Sequence, residues 1–240
     1  MRRTFTKVSP TMPASIQAAA YADTEILFDW HKVEGFKGGS IDSLKVIVRG
    51  TNGADQTMVG IDLFFATSHI ETPADGVNVG IDVAPVTLGT TGAAVDTPGW
   101  FNNLVGYVPV AAGDFNDGDL IYLNIANVSL AGKEIPVSGD LYVAAVAKGA
   151  LDFRQTAQLN DADGLTAGET ATITVDTRVV TPNWAPGDVI HAVDDAVVGT
   201  IKTVDSDTQI TLTKANVDAL ADDDVLYNIS PIQLILGGTI

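Results

Sequence analysis

The chain has 240 residues, 46% of them hydrophobic and 18% charged, a formal net charge of -17, and no cysteine. It is long and apolar enough to bury one large core or two smaller ones. The composition excludes disulfides and thiolate metal sites, argues against a duplex-binding surface, which needs clustered Lys and Arg, and leaves no apolar run near the roughly 18 residues of a membrane-spanning helix.

The first 22 residues read as a basic N-terminal arm followed by a short helix, with a first strand having a solvated start as the alternative to the arm. Arg2, Arg3 and Lys7 sit among Thr and Ser, with no acid before Asp23. Pro13 suits a first helical position, and residues 14–21 supply helix formers. The opening MRRTFTKVSP has no apolar stretch behind it and is not expected to act as a secretory signal. Strands are expected at 25–30 and 44–48, separated by a Gly-rich loop at 35–40. The turn at 51–55 contains Asn-Gly, a strong hairpin signal, so 57–66 is expected to pair with 44–48. Residues 69–103 are broken by Pro and Gly, with one short strand expected at 77–83. A loop of this length is usually functional, and Trp100 and Phe101 are its candidate subunit-contact anchors.

Further strands are expected at 104–110, 120–127 and 140–147, with Gly, Asp and Asn turns between them. Short strands at even spacing with almost no helix point to an all-β fold, a jelly-roll-like β-sandwich over 23–155. A polar stretch around 151–165 marks the boundary. Beyond it, 156–240 reads as a small acidic β-barrel or sandwich module of about six strands. From residue 156 onward there are 13 acids against Arg178, Lys202 and Lys214, a net -10, so the module is expected to face solvent. Ile173 and Val175 alternate with Thr172 and Thr174, and Ile210 and Leu212 with Thr211 and Thr213, the period of a strand with one dry face. Strands are also expected at 189–193, 198–204, 226–230 and 232–236, the last returning to pair with the first.

No catalytic constellation is legible, and the chain is expected not to be an enzyme. His31, His69 and His191 are not at metal-ligand spacing, no G-x-S-x-G elbow is present, and no phosphate-binding glycine loop occurs. Asn160, Asp161, Asp163 and the run Asp222 to Asp224 carry the oxygens a hard cation prefers. Counting on from Asp161, however, Thr172 stands where a calcium loop has its Glu, so these residues read as solvated turns. Neither a cofactor nor a metal is expected. Trp100, Tyr107 and Trp184 are the candidate stacking platforms if the chain is instead a carbohydrate-binding or adhesion module.

The C-terminal quarter has a pattern of its own: a Gly187-Asp188 opening, Val198-Gly199-Thr200-Ile201, a Thr-Gln-Ile-Thr-Leu strand at 208–212, an Ala/Asp-rich insertion, Val225-Leu226-Tyr227, and Pro231-Ile232 leading into Leu234-Ile235-Leu236. This resembles a module of virion structural proteins of tailed bacteriophages, most like a capsid decoration (cement) protein. The resemblance implies a subunit on the outer capsid surface, assembled in the host cytoplasm. Its partners would be the major capsid protein and further copies of itself in a homotrimer, with neither nucleic acid nor membrane. Arg2, Arg3, Lys7, Trp100 and Phe101 are the expected capsid or subunit contacts. A tail, baseplate or fibre-associated phage protein is the alternative.

Overall fold

The computed structural model describes residues 3–12, 20–36, 39–49, 56–67, 104–116, 123–154, 157–175, 184–192 and 196–239. Within them the chain is all-β, with antiparallel pairing throughout and a single 3-10 turn at Ala112–Asp114. No helix is long and apolar enough to cross a membrane, which says nothing about strands.

The first unit contains β1 (Arg3–Val8), β2 (Ile26–Lys32), β3 (Gly39–Arg49), β4 (Ile61–Ala66), β5 (Leu104–Val110), the short β6 (Phe115–Asn116), β7 (Leu123–Ser129), the short β8 (Ile135–Val137), β9 (Tyr142–Ala147) and β16 (Ile232–Thr239). One sheet runs β1-β16-β3-β7-β6, with β8 added to β3, and the other runs β2-β9-β4-β5. Setting aside the short β6 and β8, eight strands remain, and their pairing is nested. The first pairs with the eighth, the second with the seventh, the third with the sixth and the fourth with the fifth. Two further seams, β16 with β3 and β9 with β4, roll this long ladder into two sheets. Side chains from both sheets share one hydrophobic core, including Val46, Val48, Leu234 and Leu236 from one side and Phe28, Leu63, Phe65 and Val143 from the other.

The second unit contains β10 (Ala157–Gln158), β11 (Thr172–Thr174), β12 (Val189–Ala192), β13 (Val197–Ser206), β14 (Gln209–Leu212) and β15 (Val225–Asn228). Its sheet runs β10-β15-β12-β13-β14-β11. It curls until its edges meet at a bridge between Leu159 and Val175, where the Asn160 N–H donates to the Thr174 carbonyl at 2.9 Å. Ile173, Val175, Trp184, Ile190, Ile210, Leu212 and Leu226 fill this second core. The alternation read at 171–175 and at 209–213 is therefore the alternation of a strand with one buried face.

Three expectations change, and a fourth falls mainly outside the described residues. Residues 3–8 form a strand paired with β16, not a free arm. The helix expected at 14–21 falls mainly on residues outside those described, although Tyr21 is described, buried and bridged to Leu151. The stretches 44–48 and 57–66 do not pair: β3 lies in one sheet with its two sides taken by β16 and β7, and β4 lies in the other beside β9 and β5. Finally, β16 sits between β1 and β3, so residues 232–239 belong to the N-terminal unit and the acidic module is spliced in after β9. The loop strand at 77–83 lies outside the described residues.

Candidate interaction surfaces

Three places on the molecule collect chemistry that the core does not explain. The first is the junction where the module enters and leaves the first unit. β15 is shared: Leu226 packs into the module's core, while the next residue, Tyr227, packs into that of the first unit. Beside it, Arg49 at the end of β3 forms a buried bidentate ion pair with Asp188, its second guanidinium nitrogen 3.2 Å from Asp188 Oδ1. The same carboxylate accepts from Asn228 Nδ2 at 3.0 Å and from the Ala185 backbone N–H at 2.7 Å. Burial pushes the Asp188 carboxyl above the usual carboxylate range, against the opposing pull of Arg49, the Ala185 N–H and Lys7. A crevice of about 280 Å³ opens here, lined by Lys7, Ser9, Thr11, Gly187, Asp188 and His191 among others.

The second place is the outer face of the β1-β16-β3-β7 sheet. Register puts Phe5, Gly237, Ser43 and Ser129 in one cross-strand row and Lys7, Ile235, Lys45 and Asn127 in the next. All of these but Lys7, which lines the crevice beside Asp188, border an open groove of about 410 Å³. Phe5 is 69% exposed, an unusual position for a large apolar side chain. Its ring lies across Gly237, where an added Cβ would meet it at 3.1 Å and collide with the Ser43 hydroxyl. Among the described residues, Lys7 and Lys45 form no salt bridge. Arg3, one row further, is loosely paired with Asp42 at 3.8 Å.

The opposite sheet offers an aromatic site. Tyr107 is 50% exposed, tilts against Phe64 with centroids 5.3 Å apart, and donates from its hydroxyl to Asp62 Oδ1 at 2.9 Å. Desolvation first, and then the Asp62 carboxylate, push the Tyr107 hydroxyl above its ordinary pKa.

Of the residues singled out in the sequence, Arg3 and Lys7 share the groove face, whereas Arg2, Trp100, Phe101 and His69 lie outside the described residues. Trp184 is no stacking platform, because it is buried in the module's core. His31 is half-buried on β2, and burial lowers its pKa against the opposing charge of Glu34. His191 is buried beside Tyr227. Asp161, Asp163 and Asp222 to Asp224 occupy two adjoining turns, with the Asp161 N–H donating to Asp222 Oδ1 at 3.2 Å. Among the described residues no group of three or more His, Asp or Glu is arranged to hold a metal ion. Sequence reasoning missed Phe5, Lys45 and Gly237, and also Arg49 with Asp188. The available signal for the first set was the alternation of Arg3, Phe5 and Lys7 with Thr4, Thr6 and Val8, which is a strand period.

Comparison of the chain with protein-family models, with curated proteins and with solved structures finds no match to any of them.

Proposed function

We propose that this chain is a non-enzymatic virion structural protein that binds the outside of a phage capsid and stabilises it as a decoration subunit, in a homotrimer contacting the major capsid protein. The observation that carries the reading is the nested strand pairing. Eight antiparallel strands ordered 1-8-3-6 in one sheet and 2-7-4-5 in the other are those of a jelly roll, an architecture used for capsid walls and lectins. A fold alone does not assign a function, and the surfaces add support. The net charge of the module keeps most of its surface self-repelling, while the groove face of the first sheet, with exposed Phe5 beside Lys45, has the character of a contact surface.

The mechanism is linkage. A subunit that binds only the mature shell lowers that shell's free energy relative to its disrupted forms. Purified protein added to mature empty heads is therefore expected to bind at regular positions and to raise their disruption temperature. No shift at saturating protein removes the reading.

One observation favours a second reading, a glycan-binding or adhesion module. Tyr107, held by Asp62 and half-exposed beside Phe64, is built like a sugar-stacking platform. Under that reading a glycan screen returns hits that Tyr107→Ala abolishes, and an empty screen discards it.

A further inference from the structure

The groove face and the acidic module bear opposite charge, and each chain carries one of each. We infer that the outer face of the β1-β16-β3-β7 sheet is the docking site for the acidic turns of a second copy of this chain, joined head to tail. This deepens the trimer part of the proposed function, and it does not depend on the capsid part.

The chain is at -17, so most encounters between two copies are repulsive. The groove face departs from that average. Lys7 and Lys45 stand in one cross-strand row, two strands and hence about 10 Å apart. The acid nearest to these rows on β3, Asp42, is already engaged with Arg3. Between the two lysines lies Ile235, and Phe5 sits in the adjacent row, so the patch offers apolar contact as well as charge. An exposed aromatic ringed by polar and charged side chains, Lys45 among them, has the layout of an interface core and rim.

The complementary surface lies on the module. The turn at 161–164 and the turn at 221–224 are tied together by the Asp161-to-Asp222 hydrogen bond and by the bridge between Leu165 and Leu220. They present Asp161, Asp163, Asp222, Asp223 and Asp224, and neither turn contains Lys or Arg. This knob lies at the end of β15 away from Asn228, and Asn228 is the end that joins the first unit. A projection remote from its own groove suits insertion into a neighbour's. Because groove and knob are different surfaces, the contact is heterologous, and it closes into a ring when the rotation allows.

The test uses the full-length chain without capsids, followed by sedimentation velocity with circular dichroism as the check on folding. The expected result is association at low salt that is lost at about 1 M salt, where screening acts within about 3 Å. Lys45→Glu, on the groove, is expected to weaken association by about tenfold or more, and so is Asp222→Lys with Asp223→Lys, on the knob. Mixing the two variants is expected to restore association, because the reversed groove then meets the reversed knob. A chain that stays monomeric at low salt up to about 100 μM, well above micromolar affinity, overturns the inference. So does an oligomer indifferent to both salt and Lys45→Glu. If the chain alone is monomeric and Lys45→Glu instead abolishes binding to heads, the groove belongs to the shell subunit; self-docking is overturned and the decoration reading stands.

Discussion

The two β-units solve the same problem by different means. The first unit buries its apolar faces between two sheets, and its pairings are long-range: Ser40 and Thr239 lie 3.0 Å apart, hydroxyl to hydroxyl, across 199 residues of chain. The module curls one sheet around its own core, with partners drawn from within residues 157–228. The module is thus locally closed, whereas the first unit depends on a strand that arrives only after the module has been made. Their contact is narrow but buried, with Tyr227 crossing from one unit to the other and Arg49 meeting Asp188.

That contrast is broken most severely at the junction. Arg49→Met removes one partner of a buried pair and strands the Asp188 carboxylate, at a cost of about 3–5 kcal/mol. Adding Asp188→Leu is expected to recover part of the loss, since neither charge is then left buried alone, while the Asn228 amide and the Ala185 N–H lose this acceptor. Chemical denaturation of the single and double variants checks this, and a double variant as unstable as the single one contradicts it. The next test separates the two cores. Leu234→Ala, at a fully buried position of β16, is expected to cost about 2–5 kcal/mol. Its effect should fall on the first unit, so amide exchange should accelerate in β3 and β7 while β13 and β14 stay protected. Uniform acceleration in both units would mean that they unfold as one.

The smallest effect is electrostatic. Burial lowers the His31 pKa in the folded state, so the unfolded chain takes up that proton first as pH falls. The stability contributed by neutral His31 is present above pH 6.5 and declines as pH drops from there through the lowered folded value. His31→Gln should flatten that shallow part of the thermal stability profile. In the module Asp205 has the opposite sign: hydrogen bonds from the Thr211 and Thr203 hydroxyls hold its pKa down, and its contribution is lost as pH falls through that lowered value.

Much of the all-β character was legible because local alternation carries it. Residues 104–110 were read with the bounds of β5, and Ile210 and Leu212 are buried as their spacing implies. Sheet membership was not legible. An Asn-Gly pair is a local signal that carries no information on sheet order, so 44–48 and 57–66 were expected to pair although β3 and β4 belong to different sheets. The first strand was legible only as the alternative to an arm. Its alternation is inverted, with Phe5, Arg3 and Lys7 outward and Thr4 and Thr6 on the other side, so a rule that turns the large apolar residue inward does not favour it. The Arg49–Asp188 pair joins residues 139 apart and leaves no local trace.

The splice point between β9 and β16 has a consequence for the order of events in folding. Until β16 exists, β1 and β3 each lack a neighbour and expose a bare edge, the kind of surface that invites wrong pairings. Yet the module that delays β16 also shortens the search for it. Once residues 157–228 have closed on themselves through near-neighbour contacts, the segments before and after them are held together, and a loop-closure cost that grows with loop length has largely been met. The acidic module would then act as an internal chaperone, delivering the closing strand to a waiting gap.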